Sequence, residues 1–168
     1  NATVEEIAEI FVRDLTEGID GTSIKAGVIG EVASSKVMTE SERRVLMASA
    51  IAAKKVGCAV TTHCQNGLLG KEQASIFLQA GMDPKKVILG HIDLSDDIDY
   101  MCELLDLGFN IAFDTIGKVS YLSDEKRAEN LKYLIEYGYS NQIVLSQDIS
   151  RKSYFSNNPN YDGYTTVM

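Results

Sequence analysis

Short apolar runs alternate with longer amphipathic segments along this chain. Five such runs are rich in β-branched and other apolar side chains, a pattern that is typical of buried strands. They cover residues 26–32, 59–63, 87–91, 109–113 and 143–146. Because strands of a parallel sheet are covered on both faces, runs of this kind predict a parallel sheet rather than a half-exposed antiparallel one.

The segments between these runs have apolar residues at helical spacing, and most end at a glycine. Two begin with a capping box, in which a threonine is followed three residues later by glutamate. These pairs are Thr3 with Glu6 and Thr39 with Glu42. The other helices are predicted over residues 69–80, from the N-cap Ser95 to near Gly108, and from the N-cap Ser123 to Gly138.

The regular alternation of helix and strand predicts an α/β protein with right-handed crossovers between parallel strands. Two architectures fit this order: an open doubly wound sheet, or part of a (β/α)8 barrel. There is no GxGxxG after the first strand and no GxxxxGK[ST], which weakens the nucleotide-binding version of the open sheet. The 168 residues are enough for one domain, and the polar stretch from Ile149 onward is predicted to be a long loop.

Composition narrows the range of partners. A net charge of -8 argues against a nucleic-acid backbone or an anionic membrane as the main partner, although it leaves room for a small anionic ligand. No apolar run approaches the length of a membrane span, and no signal peptide is evident. The three cysteines have no CxxC spacing, so they are expected to be reduced thiols of a cytoplasmic protein.

Candidate chemistry lies at the carboxyl ends of the predicted strands. The residues there are Glu31, His63, His91, Asp114 and Asp148, and the chain has no other histidine. In a barrel, the ends of successive strands converge on one mouth. Imidazole and carboxylate groups together suit Zn, Mn, Fe, Co or Ni rather than Mg or Ca. The pattern therefore predicts a metal site.

Individual roles follow from the chemistry of each side chain. Glu31 has two oxygens and is long enough to bridge two ions. Asp148 could bind a metal and also accept a proton from a metal-bound water, which makes it the candidate general base. Lys118 and Arg151 follow the last two strands and are candidate contacts for an anionic group of the substrate.

Each of these residues also has a purely structural interpretation. A histidine at the end of a strand is often only a hydrogen-bonded structural residue. Asp114 could cap the following helix, Glu31 could form a salt bridge, and the loop cations could simply be solvated. The metal site is favoured because both histidines occupy the same register in consecutive βα units, with carboxylates at that register on the strands to either side.

Several short segments resemble the phosphotriesterase family of the amidohydrolase superfamily, most closely its branch of phosphotriesterase homology proteins. The resemblance runs through nearly the whole chain, in order. It implies a (β/α)8 TIM barrel of the metal-dependent hydrolase type, of which residues 1–168 would be a single-domain C-terminal part with about strands 4–8. The first strands and the last helix would be missing from it. The segments are GVIGE at 27–31, TTH at 61–63, GHID at 90–93, FDTIGK at 113–118 and LSQDI at 145–149.

The resemblance also implies roles for single residues. Glu31 matches a bridging ligand that is a carbamylated lysine in most of the family, and His63 and His91 match ligands of the more exposed metal. Asp148 matches an aspartate that binds metal and handles the proton. The segment 114–118 matches a motif of the same branch to which no role is assigned. The family's first-strand His-x-His pair has no counterpart in this sequence.

The function expected from this resemblance is hydrolysis by a binuclear metal centre. Metal-activated hydroxide would attack an ester, a lactone or a phosphoester of a small-molecule substrate. The expected cofactors are two divalent ions, with zinc first and Mn, Fe, Co or Ni as alternatives. No nucleic-acid or membrane partner is expected, and a homodimer is left open. The alternative is an incomplete, non-catalytic barrel fragment that acts only as a binding or structural module.

Overall fold

The computed structural model describes residues 2–152, so most of the predicted polar loop, from residue 153 to residue 168, lies outside the described residues. Five strands alternate with five helices, and short 3-10 turns lie in several of the connections. The elements are α1 (Val4–Thr16), β1 (Ile29–Ser34), α2 (Glu40–Val56), β2 (Val60–Cys64), α3 (Gly70–Gln79), β3 (Val87–Gly90), α4 (Ile98–Asp106), β4 (Asn110–Phe113), α5 (Asp124–Glu136) and β5 (Ile143–Leu145).

The strands form one parallel sheet in which each pairs with the next in the chain, in the order β1-β2-β3-β4-β5. A doubly wound sheet requires the strand order to reverse at a switch point, so this alternative is wrong for the described strands. Crossovers of one hand between sequential strands put every connecting helix on the same face of the sheet. The predicted α/β class, with consecutive strands of a barrel, is confirmed.

The helix starts follow the sequence signals closely. Both predicted capping boxes form, and Ser123 caps α5 as predicted. The start of α4 is different, because Asp97 rather than Ser95 is its N-cap. The Asp97 carboxylate accepts a hydrogen bond of 3.0 Å from the backbone N–H of Tyr100, while Ser95 Oγ accepts one of 3.1 Å from the N–H of Asp97. Aspartate and serine cap helices about equally well, so the sequence alone did not separate them.

The first strand begins and ends later in the chain than predicted. As a result, Glu31 lies inside β1 rather than at its end. The pairing of β1 with β2 is irregular between Ile29 and Val32, on either side of Glu31. Gly30 sits in this irregular stretch, where an added Cβ would lie 2.5 Å from the carbonyl oxygen of Thr61. Only glycine can pack that closely against the neighbouring backbone.

The core lies between the sheet and the helices. The largest fully buried side chains include Phe77, Phe109 and Phe113, and α2, whose buried residues are mostly alanine, packs against α1. Burying one phenylalanine stabilises the fold by roughly 1.5–3 kcal/mol, so these contacts hold the strands firmly. In the described part of the chain, no helix is both long and apolar enough to cross a bilayer.

Candidate metal centre

Three of the four predicted metal ligands converge at the carboxyl edge of the sheet. One ligand atom from each of Glu31, His63 and His91 lies within 4.8 Å of the others. The Oε1 atom of Glu31 is 3.4 Å from His91 Nε2, and its Oε2 atom is 3.7 Å from His63 Nδ1. The two imidazole rings meet edge to face, with centroids 4.5 Å apart. These residues come from adjacent strands or strand ends, which explains their proximity.

The orientation of His91 is set from the next strand. His91 directly follows β3 and has a left-handed backbone conformation, with φ of 60°. The Oδ1 atom of Asp114 accepts a hydrogen bond of 3.0 Å from the His91 backbone N–H and lies 2.8 Å from Nδ1. A carboxylate at that distance keeps the proton on Nδ1, so the lone pair of Nε2 faces Glu31. Asp114 therefore orients a histidine, and the helix that follows is capped by Ser123 instead.

The orientation of His63 is set by a residue that the sequence analysis missed. His63 Nε2 lies 2.9 Å from Gln65 Oε1, and the amide nitrogen of Gln65 donates a 3.0 Å hydrogen bond to Asn66 Oδ1. This second bond fixes which end of the Gln65 amide faces the ring. Because an amide oxygen can only accept, Nε2 carries the proton and Nδ1 faces Glu31 with its lone pair. The sequence feature that could have identified Gln65 is a polar side chain two residues after the histidine at the end of the strand.

The donor set fits a divalent transition-metal ion. Two imidazole nitrogens and one carboxylate oxygen make up the three protein ligands found at one class of catalytic zinc site. Each imidazole also has its outer nitrogen held by a hydrogen-bond acceptor, as is usual for metal-binding histidines. Both inner ring nitrogens, Nδ1 of His63 and Nε2 of His91, face the single carboxylate of Glu31.

The electrostatics of the site also favour a cation. The nearby Glu31 carboxylate raises the pKa of His63 most strongly, burial opposes that effect, and Gln65 adds to it. Burial lowers the pKa of His91, but the hydrogen bond and charge of Asp114 outweigh burial and raise it overall. Both imidazoles are thus surrounded by negative charge that stabilises positive charge between them.

Asp148 is tied to the site by its backbone and paired with a lysine. Its N–H donates a 2.7 Å hydrogen bond to the carbonyl of Asp114, and its carboxylate forms an ion pair with Lys118. Burial raises the pKa of Asp148, but the hydrogen bond and charge of Lys118 outweigh burial and lower it. Within the described part of the chain, Asp148 lies outside the group of Glu31, His63 and His91.

A small cavity lies between the two histidines and the Lys118–Asp148 pair. It has a volume of about 80 Å³ and opens beside the two imidazole rings. Arg151 is exposed and is not one of the residues that line it, so its contact with a substrate stays a prediction. The lining residues are His63, Gln65, Asn66, His91, Leu94, Thr115, Lys118, Tyr121 and Asp148.

Comparison with known proteins gives a consistent result. The model of the Phosphotriesterase family matches residues 1–168. The phosphotriesterase homology protein of Escherichia coli is 40% identical over 167 residues, which are 99% of this chain and 57% of that protein. Its crystal structure, complexed with phosphate in the active site, superposes with a TM-score of 0.95 at 38% identity. That match covers 99% of this chain and 58% of the other.

Two further relatives are named for an activity. The aryldialkylphosphatase of Saccharolobus solfataricus is 37% identical over 149 residues, covering 88% of this chain and 48% of that protein. The crystal structure of a lactonase from Listeria monocytogenes superposes with a TM-score of 0.93 at 26% identity, covering 99% of this chain and 51% of the other. The chain spans about half the length of the curated relatives that it matches.

Proposed function

Because the chain belongs to the phosphotriesterase family, we propose that it contributes to a metal-dependent site that hydrolyses an ester, a lactone or a phosphoester. The observation that carries this proposal is the convergence of Glu31, His63 Nδ1 and His91 Nε2 within 4.8 Å of one another. The relatives named as an aryldialkylphosphatase and a lactonase support the reaction class.

Glu31, His63 and His91 would hold one divalent ion. A second ion would be held by Glu31 and Asp148, the two carboxylates that the sequence pattern assigns to the site. Zinc is the expected metal, and Mn, Fe, Co or Ni would suit the same donors. When bound, such ions supply Lewis acidity, which lowers the pKa of a water molecule and polarises a carbonyl or phosphoryl oxygen.

Asp148 is the proposed proton acceptor. Its carboxylate is ionised at neutral pH and lines the cavity, where it can take a proton from an attacking water. Lys118 holds this carboxylate in place through the ion pair between them. Lys118 and Arg151 are the proposed contacts for an anionic group of the substrate, and the phosphate in the active site of the E. coli relative supports such a group.

The test uses the full-length protein loaded with zinc, with metal content measured by mass spectrometry and turnover measured on ester, lactone and phosphoester panels. Glu31→Gln should lose metal, and turnover should fall by more than about a hundredfold, since losing an outer-shell partner alone costs 10–100-fold. Asp148→Asn should lower turnover more than it lowers metal content. Glu129→Gln is the matched control, because Glu129 is an exposed glutamate on α5. Unchanged metal content and hydrolysis in both site variants would defeat the proposal.

A binding or structural module is the second candidate. It is favoured by one observation on the described residues: the Asp148 carboxylate pairs with Lys118 and lies outside the group of Glu31, His63 and His91. The same experiment separates the two candidates. A full-length wild-type protein that binds metal but hydrolyses none of the panel compounds would support the module.

A further inference from the structure

The segment 114–118, between β4 and α5, contacts two parts of the site at once. At its start, the carboxylate of Asp114 orients His91. At its end, the ammonium group of Lys118 pairs with the carboxylate of Asp148. The conformation of five consecutive residues therefore sets the positions of one proposed metal ligand and of the proposed proton acceptor.

Two carboxylates outside the segment fix its backbone. The Oδ2 atom of Asp93 accepts hydrogen bonds from the N–H of Thr115 at 2.9 Å and from its hydroxyl at 2.8 Å. Both oxygens of Asp124 accept from the N–H of Gly117, at 3.0 and 3.1 Å. Gly117 has φ of 87°, in the left-handed region that favours glycine, so the bend in the segment depends on both residue type and anchoring.

One guanidinium group joins these anchors. The side chain of Arg127 is 3% exposed, and its Nε forms an ion pair with Asp93 Oδ2 at 3.2 Å without the geometry of a hydrogen bond. Its Nη1 donates to Asp124 Oδ1 and to the carbonyl of Leu122, both at 2.7 Å. Its Nη2 donates to the carbonyl of Lys118 at 3.3 Å. A planar guanidinium group can hydrogen-bond one carboxylate and two carbonyls while its charge pairs with a second carboxylate, whereas a lysine ammonium cannot span them.

Burial makes this arrangement sensitive to change. The side chain of Asp93 is fully buried, and Arg127 is the cation beside it. A buried carboxylate that loses its cation must move, gain water or become protonated, and each of these outcomes would weaken its hydrogen bonds to Thr115. Displacement of Thr115 would shift its neighbour Asp114.

We propose that Arg127 is a positioning residue of the hydrolytic site. It holds Asp93, Asp124 and the backbone of the segment 114–118, and through this segment it fixes the orientation of His91 and the Lys118–Asp148 pair. The described contacts of Arg127 include neither His91 nor Asp148, so it acts only through the segment. The expected effect of Arg127 on turnover rests on the proposed function. Its effect on the conformation of the segment 114–118 is independent of that function.

The test is the Arg127→Lys variant of the full-length protein. This variant keeps the positive charge but loses the planar guanidinium group and its several donors. In the metal-free variant, the backbone amides of Thr115 and Gly117 should exchange with solvent about tenfold faster or more, since each local opening becomes easier. The resonance of 13C-methylated Lys118, assigned by its loss in Lys118→Arg, should shift. With zinc bound, kcat should fall about 10–100-fold with KM changed less than about twofold.

Two further variants make the result decisive. Lys132→Met changes an exposed cation on the same helix, where the Lys132 side chain is 75% exposed, and it should alter none of these readouts. Asp124→Asn keeps an acceptor for Gly117 but weakens the pair with Arg127. It should shift the Lys118 resonance and speed exchange in the same direction, and it decides the question if Arg127→Lys does not fold.

The outcomes separate a positioning role from a structural one. If Arg127→Lys only lowers the melting temperature and leaves the amide exchange, the Lys118 resonance and kcat at control values, Arg127 merely anchors α5 and the proposal is overturned. If the wild-type protein hydrolyses nothing, the proposed function fails. In that case the exchange rates and the Lys118 resonance of the metal-free protein still decide whether Arg127 positions the segment.

Discussion

The two imidazoles at the site differ in the groups that orient them. His91 faces the carboxylate of Asp114 on the neighbouring strand, whereas His63 faces the neutral amide of Gln65 only two residues away. A carboxylate partner raises the basicity of a ligating imidazole more than an amide does. We therefore expect His63 to be the weaker ligand of the two.

The contribution of Gln65 to metal binding can be tested by removing its amide. Gln65→Met removes the acceptor for His63 Nε2, so the ring can change tautomer or rotate, and zinc affinity should fall about tenfold. Competition with a chromophoric chelator measures the affinity. Gln79→Met is the control, since Gln79 lies at the exposed end of α3. Equal affinities for the Gln65 variant and the wild type would mean that Gln65 does not hold a metal ligand.

Among the elements, α2 is joined directly to the strand that carries Glu31. Glu42 completes the capping box of α2, where its Oε2 atom accepts a 2.7 Å hydrogen bond from the Thr39 N–H. Its Oε1 atom accepts a 3.0 Å bond from the N–H of Ser35, which directly follows β1. The Ser35 hydroxyl and then the Thr39 N–H lower the pKa of Glu42 from 4.5 to about 2.

The pH dependence of stability follows from this shift. Because the pKa of Glu42 is lower in the folded state, its contribution is present above 4.5 and is lost as the pH falls through about 2. Glu42→Ala should therefore be less stable than wild type at neutral pH, and the difference should shrink below pH 4.5. Urea unfolding at several pH values measures it. Glu40→Ala removes a charge from the same helical turn outside the capping box, and an equal pH dependence there would contradict the assignment to Glu42.

For the molecule as a whole, the described sheet has two edge strands, β1 and β5, each paired on one side. Leu145 on β5 is 51% exposed, so one edge presents an apolar side chain beside backbone groups that the described strands leave unpaired. Exposed apolar edges promote association between chains unless they are covered or charged. We expect residues 1–168, expressed alone, to self-associate as concentration rises.

Leu145→Lys should weaken this association, because a lysine on an edge strand disfavours pairing with another strand. Sedimentation velocity over a concentration series measures it, and moderate salt limits the effect of the added charge. Leu78→Lys is the control, since Leu78 is 41% exposed on α3, away from the edge. If both variants associate alike, contact through the edge of β5 is not the cause.

Local patterns in the sequence determined the order and type of the elements. Apolar runs, threonine capping boxes and terminal glycines act through neighbours within a few residues, so the chain itself carries that information. The family was also evident from the sequence, because its motifs lie in the right order along nearly the whole chain. The predicted N-cap at Ser95 was wrong for the same local reason, since Asp97 offers an equally good cap.

Tertiary structure alone decided how the site is assembled. The irregular pairing of β1 with β2 puts Glu31 opposite the imidazoles, and the pairing of Asp148 with Lys118 depends on two different loops. The contact of Arg127 with Asp93 joins residues far apart in the chain, and because both are buried the loss of either partner would be costly. Such contacts depend on which surfaces meet after the chain has packed, and residue order along the chain does not specify that.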